Sequence, residues 1–183
     1  NWYADASVLT FDSLRFDGTR EDQIGDLLPL GQAETTFDFG KYGFGRVEAS
    51  TAFLDRASGP DSHRVTVGAD WSAQKVLPGG FLAEPFAETR YDYYDLTDFP
   101  ATGDSDTVER GFGLAGLELS YPLFRPGKDV ALLIEPIVMG AIGTSGSNDA
   151  PIPIEDGLFY ELDETSLFDP SAQAGYDLYE GDN

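Results

Sequence analysis

Cysteine is absent from the 183 residues, and methionine and histidine occur once each. Without cysteine there is no disulfide framework and no thiolate metal site. The absence fits any compartment and says little about redox surroundings. Basic residues are scarce, 11 against 33 acidic, for a net charge of −22. Such a surface repels phosphate backbones, which sets the chain against nucleic acid as a partner. The imbalance is uneven: Lys128 is the last basic residue, and 12 acidic residues follow it. A surplus of that kind marks a solvated, cation-decorated surface. Long hydrophobic runs are also missing. The most apolar stretch, Asp129 to Ile142, is shorter than the roughly 20 residues of a transmembrane helix and contains Pro136. No signal peptide opens the chain; Asn1-Trp2-Tyr3 begins in strand-like sequence and Gly181-Asp182-Asn183 ends without a closing element. These ends predict a fragment cut from a longer chain.

Aromatics make up 13% of the residues and glycines number 21, a composition that leans toward strands and turns. Asp129 to Ile142 reads with period two as one strand. Val130, Leu132, Ile134, Pro136, Val138 and Ile142 fall on one face; Glu135 falls on the other, among Ala131, Leu133, Ile137 and Met139. A buried soluble strand rarely keeps an unpaired glutamate. One apolar face and one face bearing a charge suit a barrel wall with lipid outside and polar matter inside.

Other stretches repeat the pattern. Trp2 to Phe16 is the first strand candidate, followed by the polar turn Asp17 to Asp22 and an apolar staple, Leu27 to Leu30. Gln32 to Phe39 alternates, and Gly40 to Gly43 makes a tight turn. In Arg46 to Phe53, Val47, Ala49, Thr51 and Phe53 oppose Arg46, Glu48 and Ser50. In Arg64 to Gln74, Val65, Val67, Ala69, Trp71 and Ala73 oppose Arg64, Thr66, Gly68, Asp70 and Ser72. In Phe81 to Tyr93, Ala83, Pro85, Ala87, Thr89 and Tyr91 oppose Glu84, Phe86, Glu88, Arg90 and Asp92. In Gly111 to Leu123, Ala115, Leu117, Leu119 and Tyr121 oppose Leu114, Gly116, Glu118 and Ser120.

The expected fold is therefore all-β: an antiparallel transmembrane β-barrel segment of about seven or eight strands from a larger outer-membrane barrel. The whole chain, 1–183, is expected to belong to that one domain. Within it, 143–183 reads as a long acidic loop region with at most one short strand, Leu158 to Leu162. The candidates run about ten residues or a little more, as a tilted strand needs to cross a bilayer. Connections alternate, short at 40–43, 77–80 and 124–128 and long at 55–62, 95–107 and 143–157, as in outer-membrane barrels. Tyr91, Tyr93, Tyr94, Tyr121 and Trp71 fall toward strand ends, where an aromatic girdle sits. The lumen-facing candidates are Arg46, Glu48, Glu84, Glu88, Arg90, Asp92, Glu118 and Glu135. Three alternatives share the pattern: a soluble antiparallel sandwich, a small self-contained eight-stranded barrel acting as a passive pore or anchor, and a soluble extracellular β-domain that binds calcium.

Little in the sequence carries catalytic chemistry, and the chain is not expected to be an enzyme. His63 stands at a loop-to-strand junction beside Asp61 and Arg64, with no serine elbow for a nucleophilic triad; a solvated loop histidine is expected. Carboxylate pairs such as Glu155-Asp156 and Asp163-Glu164 abound, but among 33 acids some pair always has glycosidase-like spacing. Asp17-Gly18-Thr19 and Ser147-Asn148-Asp149 resemble pieces of calcium loops without completing an EF-hand.

The C-terminal third carries more specific signals: Leu117-Glu118-Leu119-Ser120-Tyr121-Pro122-Leu123, Leu133-Ile134-Glu135-Pro136-Ile137, Ile154-Glu155-Asp156-Gly157, Glu161 to Phe168 and Gly175 to Gly181. In order and spacing these stretches resemble the middle of the barrel domain of the LptD family, the lipopolysaccharide-assembly proteins of the outer membrane. Leu27-Leu28-Pro29 and Asp61-Ser62-His63-Arg64 fit more loosely, which extends the likeness over the chain. The motif positions are Glu155, Asp156, Glu161, Asp163, Leu167, Phe168, Gly175, Asp177 and Glu180. The family usually has Asn-Glu-Asp-Ser where this chain has Ile154-Glu155-Asp156-Gly157. It often has a basic residue at the position of Leu178. The resemblance implies an integral outer-membrane barrel of many more strands, lipopolysaccharide as the transported lipid, and an LptE-type lipoprotein plug in the lumen. No cofactor is expected. Because lipopolysaccharide is anionic, an acidic lumen is expected either to repel its phosphates or to meet them through bridging divalent cations.

Overall fold

The computed structural model describes residues 1–12, 24–98, 106–128 and 130–144, together with 152, 155 and 168. Within them the chain forms ten strands: β1 (Trp2–Leu9), β2 (Asp26–Asp38), β3 (Phe44–Asp55), β4 (Asp61–Ser72), β5 (Lys75–Val76), β6 (Leu82–Thr97), β7 (Asp106–Ser120), β8 (Leu123–Arg125), β9 (Leu132–Ile134) and β10 (Ile137–Gly143). The main sheet runs β1-β2-β3-β4-β6-β7-β10, with β5 paired onto β6; β8 and β9 make a separate two-stranded ribbon. Every pairing is antiparallel, and the long strands follow one another as an up-and-down meander, with β4 pairing β6 past the short β5 and β7 pairing β10 past β8 and β9. β1 and β10 are its two edges.

Register puts the alternating sets in rows across the sheet. Ser50 pairs with Thr66, Thr66 with Asp92 and Asp92 with Arg110. One step along, Thr51 pairs with Val65 and Val65 with Tyr93. The two faces are not equally covered. Ser50, Ser62, Arg64, Thr66, Asp92, Arg110 and Ser120 are buried, and Tyr94, Leu96 and Phe112 share their face. Val47, Val65, Val67, Tyr91, Tyr93, Leu117 and Leu119, on the other face, are all exposed. A water-soluble sheet hides its apolar face in a core. This one does the reverse. We call the polar side the inner face and the apolar side the outer face.

Turn chemistry closes one end of the meander. The turn between β2 and β3 is a 3-10 turn at Gly40–Tyr42 ending at Gly43 with φ +98°. A Cβ on Gly43 would lie 2.0 Å from the Ser72 carbonyl oxygen, so glycine is required there. Trp71 Nε1 donates to the Tyr42 carbonyl at 2.9 Å and ties this turn to the end of β4. Phe81 and Tyr121 pack at the same end with their rings tilted by 33° and centroids 4.6 Å apart.

Several expectations need correction. Asp129 to Ile142 is not one strand: it divides into β9 and β10 at Glu135-Pro136. Pro136 has no N–H for the ladder, and Pro122 sits on the opposite arm. The faces survive the break, because stepping three residues along each arm from the Ser120–Ile137 pair arrives at Leu123–Ile134. The contrast in loop length is weaker than expected. β3 runs to Asp55 and β4 starts at Asp61, while β6 runs to Thr97 and β7 starts at Asp106. Polar residues paired across the ladder carry the strands further, for example Asp95 with Thr107. His63 lies inside β4, not in a loop. Leu27 to Leu30 belongs to β2, with a register shift at that point, and β1 ends at Leu9. The expected strand at Leu158 to Leu162 and nearly all of the 143–183 region lie outside the described residues.

Candidate functional site

The inner face is where ionised groups collect. Arg46, Glu48, Glu84, Glu88, Arg90, Asp92 and Glu118 occupy inner-face positions of β3, β6 and β7, each set in register with the next strand. Glu135 lies between β9 and β10, and its Oε1 accepts a 2.9 Å hydrogen bond from Ser120 Oγ, which brings it to the same face. All eight expected positions thus sit on one side of the sheet, and six of them fall into two groups.

The first group is tightly packed. Asp92 is fully buried; its carboxylate accepts from Thr66 Oγ1 at 2.8 Å and from Arg110 Nη2 at 3.0 Å, and lies 3.3 Å from Arg90 Nη2. Arg110 also donates to the Tyr94 hydroxyl at 2.9 Å and stands over that ring at 5.1 Å. A buried carboxylate among low-dielectric neighbours is tolerated when its lone pairs are filled in this way. Asp92 is therefore committed to neighbouring strands. It is not available to a passing cation.

The second group is wetter. Arg46 Nε donates to Asp70 Oδ2 at 2.7 Å, and its Nη1 is 3.9 Å from Glu48 Oε2. Glu34 stands directly opposite Glu48, and Glu84 directly opposite Glu118. Like charges in opposed positions repel, and Arg46, 3.9 Å from Glu48, offsets part of that repulsion at the first pair. Among the described residues, no three His, Asp or Glu side chains converge closely enough to hold a metal ion.

Thr66, Tyr94 and Arg110 complete the packed group without being among the lumen-facing candidates; Tyr94, expected in an aromatic girdle, is buried on the inner face opposite Arg64. Arg110 falls just before the expected strand, and only extension of that strand by its own parity with Phe112 and Leu114 would have placed it. Of the motif positions, Glu155 and Phe168 are described; the other seven lie outside the described residues. Glu155 Oε1 accepts from Arg56 Nη2 at 2.8 Å, across 99 positions of sequence. Phe168 is exposed. On the outer face, His63 Nε2 lies 2.8 Å from Asp55 Oδ1 and its ring stacks on Phe53 at 4.8 Å.

An antiparallel meander that packs most of its ions on one face and bares aliphatic and aromatic side chains on the other defines the class: an all-β sheet with inverted burial. Comparison with known families gives the particular one. The chain belongs to the LptD family, described as LPS transport system D, whose match spans residues 2–183. That family consists of outer-membrane proteins for lipopolysaccharide transport and assembly, and it is not an enzyme family. No curated protein matches the chain.

Proposed function

We propose that the chain is part of the wall of an outer-membrane β-barrel that passes lipopolysaccharide to the outer leaflet without catalysis. One observation carries this: the buried side of the sheet holds Arg64, Thr66, Asp92 and Arg110, while Val47, Val67 and Leu117 are exposed on the other. Hydrocarbon on the outer side and water on the inner side would make both faces favourable at once. β2, β3, β4, β6 and β7 each span 12 to 16 residues, enough for a tilted crossing. Open edges at β1 and β10 favour continuation into further strands over a self-contained eight-stranded pore.

In this reading Arg46, Glu48, Glu84, Glu88, Arg90, Glu118 and Glu135 face the lumen, where an LptE-type plug and the saccharide of the lipid would meet them. The opposed acids Glu34–Glu48 and Glu84–Glu118 keep phosphates away from the wall or engage them through divalent cations. Asp92 serves the wall itself. A photo-crosslinking residue at Glu48, Glu88 or Glu118 in the full-length protein should capture lipopolysaccharide in cells. Failure at all three positions, with lipid assembly proceeding normally, would overturn the conduit. Neutralising Glu84 and Glu118 together should change the magnesium dependence of transport, and an unchanged dependence removes the cation role.

A further inference from the structure

The hairpin of β7 and β10 runs past its neighbour: β6 begins at Leu82, opposite Ser120, whereas the hairpin continues as β8–β9. On one side of this ribbon Leu123 pairs with Ile134; on the other Phe124 pairs with Leu133. Phe124 is 65% exposed and Leu133 60%, and Leu132 and Val130 are exposed beside them. A ribbon that docks on a protein covers one face and leaves the other to water, so its free face is normally polar. Apolar side chains on both faces call for an apolar medium on both sides.

Two further observations identify that medium. The outer-face line of Leu117, Leu119 and Val138 leads through Tyr121 directly into Leu123 and Ile134, so the ribbon continues the lipid-facing band. Its far end carries Arg125 and Lys128, both exposed, in a chain with only 11 basic residues against 33 acidic. Asp129, directly after Lys128, is the one carboxylate in the sequence between Glu118 and Glu135, against the two cations Arg125 and Lys128. Cations at the end of an apolar element reach for lipid phosphates while their stems stay in the acyl region.

We propose that β8–β9 inserts into the leaflet on the short-turn side, with acyl chains against both faces and the phosphates of anionic phospholipids at Arg125 and Lys128. This rests on the barrel-wall reading above. Pro122 and Pro136, which have no N–H to donate, interrupt the ladder between the main sheet and the ribbon, and the Tyr121 N–H to Pro136 carbonyl bond at 3.1 Å holds the two arms together across that gap.

The test uses the full-length protein in phosphatidylglycerol liposomes, with a nitroxide on Phe124→Cys and, separately, on Val67→Cys in the wall. The hairpin label should collide readily with oxygen and poorly with a water-soluble nickel chelate. Ready collision with the chelate would mean water, and poor collision with both would mean a protein partner; either overturns the insertion. A wall label without the lipid signature would instead refute the wall reading. Replacing Arg125 and Lys128 by glutamine should abolish the deeper position of the Phe124 label in phosphatidylglycerol relative to phosphatidylcholine. Depth that does not respond to the charge change overturns the phosphate contact, with the Val67 label reporting folding in the same samples.

Discussion

Replacing Val67 by arginine tests the inverted faces most directly. Val67 is 48% exposed at an outer-face position of β4, paired with Ala49 on one side and Tyr91 on the other. It lies midway between His63, which is tied to Asp55, and Trp71, which is tied to Tyr42. At about 3.3 Å per residue the span from His63 to Trp71 is about 26 Å along the strand. At a tilt of about 40° that is about 20 Å of membrane thickness, close to the apolar band of an outer-membrane barrel. Val67 then sits near the midplane, where an arginine costs about 2–4 kcal/mol. That is about a 30- to 700-fold loss in the folding equilibrium. In water the same substitution at a half-exposed strand position would stay within about 0.5 kcal/mol. Gln32→Arg is the control, because Gln32 is exposed on the inner face and pairs with Ser50. Guanidinium unfolding of the full-length protein in phospholipid vesicles measures both. A Val67→Arg cost equal to that of Gln32→Arg would refute the assignment of the outer face to lipid.

Asp92→Ala should destabilise by about 3–5 kcal/mol, since it removes the shared acceptor of Thr66, Arg90 and Arg110 from a buried site; a double-mutant cycle with Arg110→Ala in the same unfolding assay should recover a large coupling. Gly116→Val should cost about 1–3 kcal/mol, because a Cβ at Gly116 already falls 2.3 Å from the Phe86 ring and 2.7 Å from the Gly140 carbonyl oxygen; the cost should shrink when Phe86 is also replaced by alanine. Glu155→Ala should cost less than about 1 kcal/mol, because the carboxylate it shares with Arg56 is partly exposed and screened; a shift in unfolding midpoint well beyond that would mean Glu155 does more than pair with Arg56.

Side-chain parity was legible before any coordinates. Val47, Val65, Tyr91 and Leu117 alternate with charged or polar neighbours, and a strand of period two sends them to one side whatever the sheet does next. Strand ends were not legible. Asp61, Ser62, Asp95 and Asp106 look like loop residues because isolated propensity disfavours them in strands, yet each pairs in the ladder once its neighbour is present. The apolar run at 129–142 looked like one strand because hydrophobicity ignores the missing N–H of Pro136, and hydrogen bonding does not. The candidate site divides the same way. The eight charged positions could be set on one face from alternation alone. Their split into a packed group around Asp92 and a solvated group around Arg46 depends on how deeply each row is covered.

Alternation, a local property of a pleated backbone, was enough to give an all-β chain with one face apolar along the middle of its strands and the other bearing ions. The family was legible as well, through short stretches whose order and spacing survive without any fold. Folding was needed to bury the polar face, to share Asp92 among three strands, and to bring Arg56 to Glu155. Those facts depend on register and on contacts between residues distant in sequence, which no local pattern encodes.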